Sequence, residues 1–100
     1  MGAIKINPQM TNPSKMYPSM KGYFDFRDLE FDVTEGNGGF VNVITLKNDE
    51  LLIYNENPRV YDSSKNFLAN EILKELLPDD FKDLEIFGNC VIISKDLVRR

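Results

Sequence analysis

The most constraining feature of the sequence is a pair of hydrophobic segments, residues 40–46 and 51–54, joined by a polar turn. Both segments are rich in β-branched, aliphatic or aromatic residues, and the turn between them is Lys47-Asn48-Asp49-Glu50. Such residues favour strands, and two strand-like runs separated by a short polar segment predict a β-hairpin. We therefore expect a sheet to form around residues 40–54.

A second periodic segment, residues 65–77, predicts the main helix. Its apolar residues recur at a helical spacing on one broad face, and Pro78 follows them. Asp62, Ser63 and Ser64 precede it and are typical helix-capping residues. The residues expected on the buried face are Phe67, Leu68, Ile72, Leu73, Leu76 and Leu77.

Together these segments predict an α+β fold in which a small antiparallel sheet of three to five strands packs on one main helix. Residues 59–61 are a candidate short strand after the turn-forming residues 55–58. Residues 85–87 and 90–94 predict a last strand, interrupted at Gly88-Asn89. Residues 24–33 alternate apolar and charged side chains, which favours another strand; a helix with Phe26, Leu29 and Val33 on one face is the alternative.

The first 22 residues differ from the rest because prolines recur at positions 8, 13 and 18. Proline blocks helix interiors and central strands, so we predict an extended arm over residues 1–22 and a single α+β domain over residues 23–100. The arm is expected to pack on its own domain, and packing on a neighbouring subunit is the alternative. Ala3–Ile6 is a candidate edge strand of the arm. Apolar side chains of the arm and of the segment after it are candidate interaction residues: Met10, Met16, Tyr17, Met20, Phe24 and Phe26.

Charge and hydropathy narrow the classes of partner. The net charge of −4 disfavours nucleic acid, because affinity for phosphate backbones comes mainly from Lys and Arg. No apolar run approaches the roughly 20 residues of a membrane span. The sequence shows no signal peptide or lipid-attachment motif, so we expect a cytoplasmic protein that binds neither membranes nor nucleic acid.

Residues able to do chemistry near neutral pH are scarce. The chain has no histidine, and its one cysteine, Cys90, lies in an apolar segment typical of a buried strand. The glycine-rich segment 36–39 lacks the Lys-Ser/Thr of a phosphate loop and is expected to form a turn. Asp79 and Asp80 are expected to begin a short helical turn rather than bind a cation. We predict no catalytic residue, no metal site and no cofactor.

Polar residues at the border of the hairpin and the helix suggest a different kind of site. Asn55, Glu56, Asn66 and Asn70 are placed to hydrogen-bond loop backbone from inside the fold. Together with Tyr54, three of them define a candidate polar pocket between sheet and helix: Tyr54, Asn55, Glu56 and Asn70. Such a pocket favours the alternative function of binding or sequestering a small, nucleotide-like ligand.

Four short motifs resemble a family of small phage and mobile-element proteins, domain of unknown function 3846. They are a Gly-Gly-aromatic strand, a strand ending in Asn-Glu, a segment ending in Leu-Ala-Asn and an apolar closing strand preceded by Gly. In this sequence they fall within residues 38–43, 52–57, 66–70 and 86–93. The family pattern suggests a helix at residues 24–33. The resemblance implies a phage, prophage or plasmid setting and no catalytic residue.

The scarcity of reactive groups predicts a non-enzymatic protein-binding module, and the resemblance implies that it is of phage or mobile-element origin. Binding is expected to be self-association, as a homo-oligomer, or capture of a host or defence component. Pairing at a sheet edge and contact through the methionine-rich arm are the two expected routes.

Overall fold

The computed structural model describes residues 2–18, 20–34, 36, 40–55 and 65–99. The predicted strand at 59–61, the predicted caps at 62–64 and most of the predicted turn at 55–58 lie outside these residues. The strands are β1 (Ala3–Ile6), β2 (Ser14–Met16), β3 (Phe24–Asp25), β4 (Val41–Thr45), β5 (Leu51–Asn55), β6 (Cys90–Ile93) and β7 (Val98–Arg99). The α-helices are α1 (Phe26–Thr34) and α2 (Phe67–Leu73), and short 3₁₀ helices cover Asp79–Phe81 and Lys95–Leu97.

Five strands form one antiparallel sheet in the order β2-β1-β6-β5-β4, and β3 and β7 form a separate parallel pair. The predicted α+β class, the sheet and the hairpin are confirmed, with β4 and β5 as the two hairpin strands. Ala3–Ile6 was expected at an edge, but β1 lies between β2 and β6. The segment predicted as an arm thus supplies two strands of the sheet.

Side chains alternate between the two faces of the sheet, and each face has its own apolar cluster. One cluster joins Leu52 and Ile92 to Leu73 of α2. The other joins Ile53 and Val91 to Leu29 of α1. Helices therefore cover both faces, whereas the sequence predicted cover from one main helix only.

Residues 26–34 are the main correction to the predicted secondary structure. The favoured strand is wrong, because the segment forms helix α1 and only Phe24–Asp25 pair as a strand. Leu29 and Val33 lie one turn apart and are buried, whereas Phe31, which an alternating strand would bury with them, is 65% exposed. Gly36 follows the helix with a φ of 77°, and its N–H donates to Phe31 O at 3.0 Å.

The predicted main helix is confirmed as α2 but is shorter than residues 65–77. Asn66 caps it, since its side chain accepts a hydrogen bond from Ala69 N at 3.0 Å. After Leu73 the chain continues in turns as far as Pro78. Within these turns, Leu76 O accepts a hydrogen bond from Lys47 N at 2.8 Å. Phe67, expected on the buried face, is exposed.

Candidate functional site

The outer side of strand β4 is the first candidate site. The hairpin turn fixes which backbone groups of β4 face β5 and which face outward. Leu46 N donates to Glu50 O at 2.8 Å, and Asp49 adopts a φ of 72° in the turn. Antiparallel pairs alternate between hydrogen-bonded and non-hydrogen-bonded positions. Because Leu46 and Glu50 occupy a hydrogen-bonded position, the backbone groups of Val41, Val43 and Thr45 point away from β5.

Those three residues form the open edge of the sheet. Within the residues that the structure describes, no strand pairs with the outer side of β4. A strand edge presents a row of N–H and C=O groups that can pair with another chain. We call residues 41–45, together with Phe40 before them, the β4 edge.

The side chains of the β4 edge are uncharged and are supported from both faces of the sheet. Val41 and Val43 are half-buried against the cluster under α1, and Ile44 packs against the cluster under α2. Asn42 Nδ2 donates to Tyr54 Oη at 3.4 Å. Phe40 is 77% exposed at the start of the strand. The edge thus combines a regular strand backbone with an exposed aromatic ring.

The opposite edge of the sheet is built differently. Strand β2 has three residues, and its register with β1 directs the backbone of Ser14 and Met16 inward and that of Lys15 outward. The next outward position on one side is Pro13, which has no N–H. A short strand, a lysine and a proline are the usual protections of an edge against pairing.

The predicted interaction residues divide into two groups. Met16, Phe24 and Phe26 pack against the cluster under α1, and Met10 is half-buried, so these side chains belong largely to the fold. Tyr17 is 78% exposed and Met20 is fully exposed. Of the six predicted interaction residues, this second group has the exposed side chains.

The predicted polar pocket does not converge. Tyr54 and Asn55 are neighbours on β5, so their side chains point to opposite faces of the sheet. Tyr54 belongs to the cluster under α2, whereas Asn55 lies on the α1 side, and Glu56 lies outside the described residues. Asn70 is engaged with the backbone, because its amide donates to Ile86 O at 3.1 Å and accepts from Ile86 N at 2.9 Å.

Asn66 and Asn70 instead form a structural brace. The buried Asn66 amide donates to Ile6 O at 3.0 Å and to Gly88 O at 2.8 Å while it caps α2. These bonds join the end of β1, the segment before β6 and the start of α2. The sequence predicted that these asparagines hydrogen-bond loop backbone. The backbone groups that Asn66 binds, at Ile6 and Gly88, are distant from it in the sequence.

A shallow groove of about 600 Å³ lies at the start of α1. Its lining has mixed charge: Asp25, Phe26, Arg27, Asp28, Glu30 and Arg99. Lys21 Nζ lies 3.5 Å from Asp25 Oδ2, and the Arg99 guanidinium lies 5.6 Å from the centre of the Tyr23 ring. Two of the charged groups at the groove, Asp25 and Arg99, therefore have partners outside its lining, and none of the described buried polar side-chain atoms is without a hydrogen bond.

Cys90 is buried in β6, as the sequence predicted. Burial raises the pKa of its thiol to about 12, so the reactive thiolate is scarce near neutral pH. The described residues contain no group of three or more acidic or cysteine side chains placed to hold a metal ion.

No family model, curated protein or solved structure matches this chain. None of the helices in the described residues is both long enough and apolar enough to cross a membrane.

Proposed function

We propose that this chain is a non-enzymatic protein-binding module that adds an extended strand of its partner to the β4 edge. The observation that carries the proposal is a five-residue edge strand without charge or proline, next to the exposed ring of Phe40. Natural sheets generally protect such an edge unless it is used for pairing.

Strand addition fits the chemistry of this edge. The outward N–H and C=O groups of three residues supply affinity through backbone hydrogen bonds, each worth roughly 1 kcal/mol net. The neighbouring side chains, which are uncharged, supply selectivity against charged partner strands. Phe40 adds a rigid apolar contact, of the kind that interfaces favour.

The setting of this function is part of the proposal. The resemblance to the phage and mobile-element family supports a host or defence component, or a further copy of the chain, as the partner in the cytoplasm. The absence of histidine and the buried thiol of Cys90 support a function without catalysis.

The test is affinity capture from the native host with two variants of one residue. Thr45 has an exposed side chain, and its N–H points outward, so Thr45→Pro removes a donor from the open edge without removing a bond to β5. Thr45→Ala changes the same side chain and keeps the donor. We expect the unmodified chain and Thr45→Ala to retain a partner that Thr45→Pro loses at least roughly tenfold. Equal capture by all three would contradict the proposal.

A further inference from the structure

The geometry of the β4 edge points to a second copy of this chain as its occupant. We propose that two copies pair antiparallel through β4, with Val43 of one copy opposite Val43 of the other. This inference rests on the proposed function, because it names the partner of the same edge.

The register follows from which backbone groups face outward. Hydrogen-bonded pairs form only between outward residues of both strands, which here are Val41, Val43 and Thr45. With Val43 opposite Val43, each Val41 meets Thr45 of the other copy, and all three outward residues of both strands are paired. Each such pair exchanges two hydrogen bonds, so the interface has six. A shift by two residues leaves one outward residue of each strand without a strand partner.

The side chains match in the same register. A two-fold axis perpendicular to the sheet keeps the α1 faces of both copies on the same side. Val43 then meets Val43, and Val41 meets Thr45, on the face covered by α1, while Asn42 meets Ile44 on the other face. Every pair is uncharged. An antiparallel arrangement also places the two Lys47 side chains at opposite ends of the interface, whereas a parallel one would bring these like charges together.

The size of the edge predicts a weak dimer. Five residues of strand span about 17 Å, and the paired segment with Phe40 is smaller than the roughly 800 Å² per partner of a standard stable interface. We therefore expect reversible association at high micromolar concentration. The continuous sheet of the dimer would contain ten strands, which is within the usual range.

Analytical ultracentrifugation of the purified chain tests whether a second copy binds. Between roughly 10 µM and 1 mM, we expect the weight-average mass of the unmodified chain and of Thr45→Ala to rise towards twice the monomer mass. Thr45→Pro is expected to remain monomeric, with thermal unfolding as the check that it is folded. Phe40→Ser is the second variant, since the exposed ring is not needed for folding, and we expect it to weaken the dimer.

Cysteine cross-linking tests the register. In this register two Val43→Cys residues meet with Cα atoms about 5.5 Å apart, within disulfide range, whereas two Thr45→Cys residues are about 14 Å apart. We expect Val43→Cys to form a covalent dimer at least roughly tenfold faster on mild oxidation. Equal rates, or a dimer that survives Thr45→Pro, would overturn this interface.

The two proposals fail in different ways. An unmodified chain that stays monomeric at the highest concentration overturns the second copy as partner. Capture of a host protein that depends on the outward N–H of Thr45 would then still support strand addition at the β4 edge. Equal capture by Thr45→Pro and Thr45→Ala would remove the proposed function as well.

Discussion

The two edges of the same sheet end in opposite ways. At one edge, β2 exposes a single outward residue, Lys15, and the outward position before it is Pro13. At the other, β4 exposes three uncharged outward residues beside Phe40. The edge that is short and protected resists pairing, and the edge that is long and unprotected is suited to it. The proposed site of recognition is therefore the edge that lacks the protections found at the other.

The two sides of the sheet also differ in the hydrogen bonds that attach them to the rest of the fold. The side of β1 and β6 is joined to α2 by buried side-chain hydrogen bonds from Asn66. The β4 side is held by the hairpin with β5 and by the backbone bond from Lys47 to Leu76. We therefore expect changes at the brace to act on stability and changes at the β4 edge to act on association.

The largest expected effect on stability is that of Asn66→Ala. It removes the donor to Ile6 O and Gly88 O, both bonds being buried, and it removes the cap of α2. A buried group left without a partner costs about 1–3 kcal/mol, and a lost cap costs about 1 kcal/mol. We expect the free energy of unfolding in urea to fall by about 4 kcal/mol.

Asn70→Ala is the matched control for the brace. Asn70 is only half-buried, and its loss frees the N–H of Ile86, whereas Ile86 O still accepts from Asn66 N at 2.9 Å. We expect a smaller loss, about 2 kcal/mol. Equal effects of the two variants, or a weaker dimer caused by either one at temperatures where it is folded, would break the division of roles between brace and edge.

The next largest effect is expected from removing the protections of β2. In the double variant Pro13→Val with Lys15→Val, the second edge gains an N–H and loses its charge. Each copy then has two edges that can pair, so association no longer stops at a dimer. We expect the mean mass by light scattering to rise roughly threefold or more above that of the unmodified chain at equal concentration.

The same experiment has an internal control. Adding Thr45→Pro to the double variant leaves only the β2 side able to pair, so the assemblies should shrink to dimers or smaller. Lys15→Arg alone keeps the charge, so it should leave the mean mass by light scattering unchanged. Large assemblies that persist with Thr45→Pro would show that association does not depend on the open β4 edge.

The hairpin and α2 could be predicted from the sequence because their signals are local. A β-branched run around a polar turn, and apolar residues at helical spacing before Pro78, each fit one type of element. Residues 24–33 fit two. Their apolar residues satisfy a strand period and a helix period, and only packing on the sheet, which buries Leu29 and Val33 and leaves Phe31 outside, selects the helix.

Edge identity could not be predicted because it depends on pairing between distant segments. Ala3–Ile6 pairs with Cys90–Ile93 at the far end of the chain, so β1 lies inside the sheet and β2 takes the edge. For the same reason, removing the first 21 residues would remove two strands of the sheet, β1 with the fully buried Ile6 and β2. Such a deletion would test folding rather than the contacts of the arm. The role of the arm in association has to be tested with point variants.

The smallest effect is expected from the arm's exposed side chains, Tyr17 and Met20. Because both are largely in solvent, the double variant Tyr17→Ser with Met20→Ser should shift Tm by less than about 2 °C. If the β4 edge is the site of association, the concentration dependence of mass in the ultracentrifuge should also be unchanged. Phe40→Ser is the matched comparison, because it too removes one exposed aromatic ring, but beside β4. A dimer weakened by the arm variant and not by Phe40→Ser would move the site of association to the protected side of the sheet.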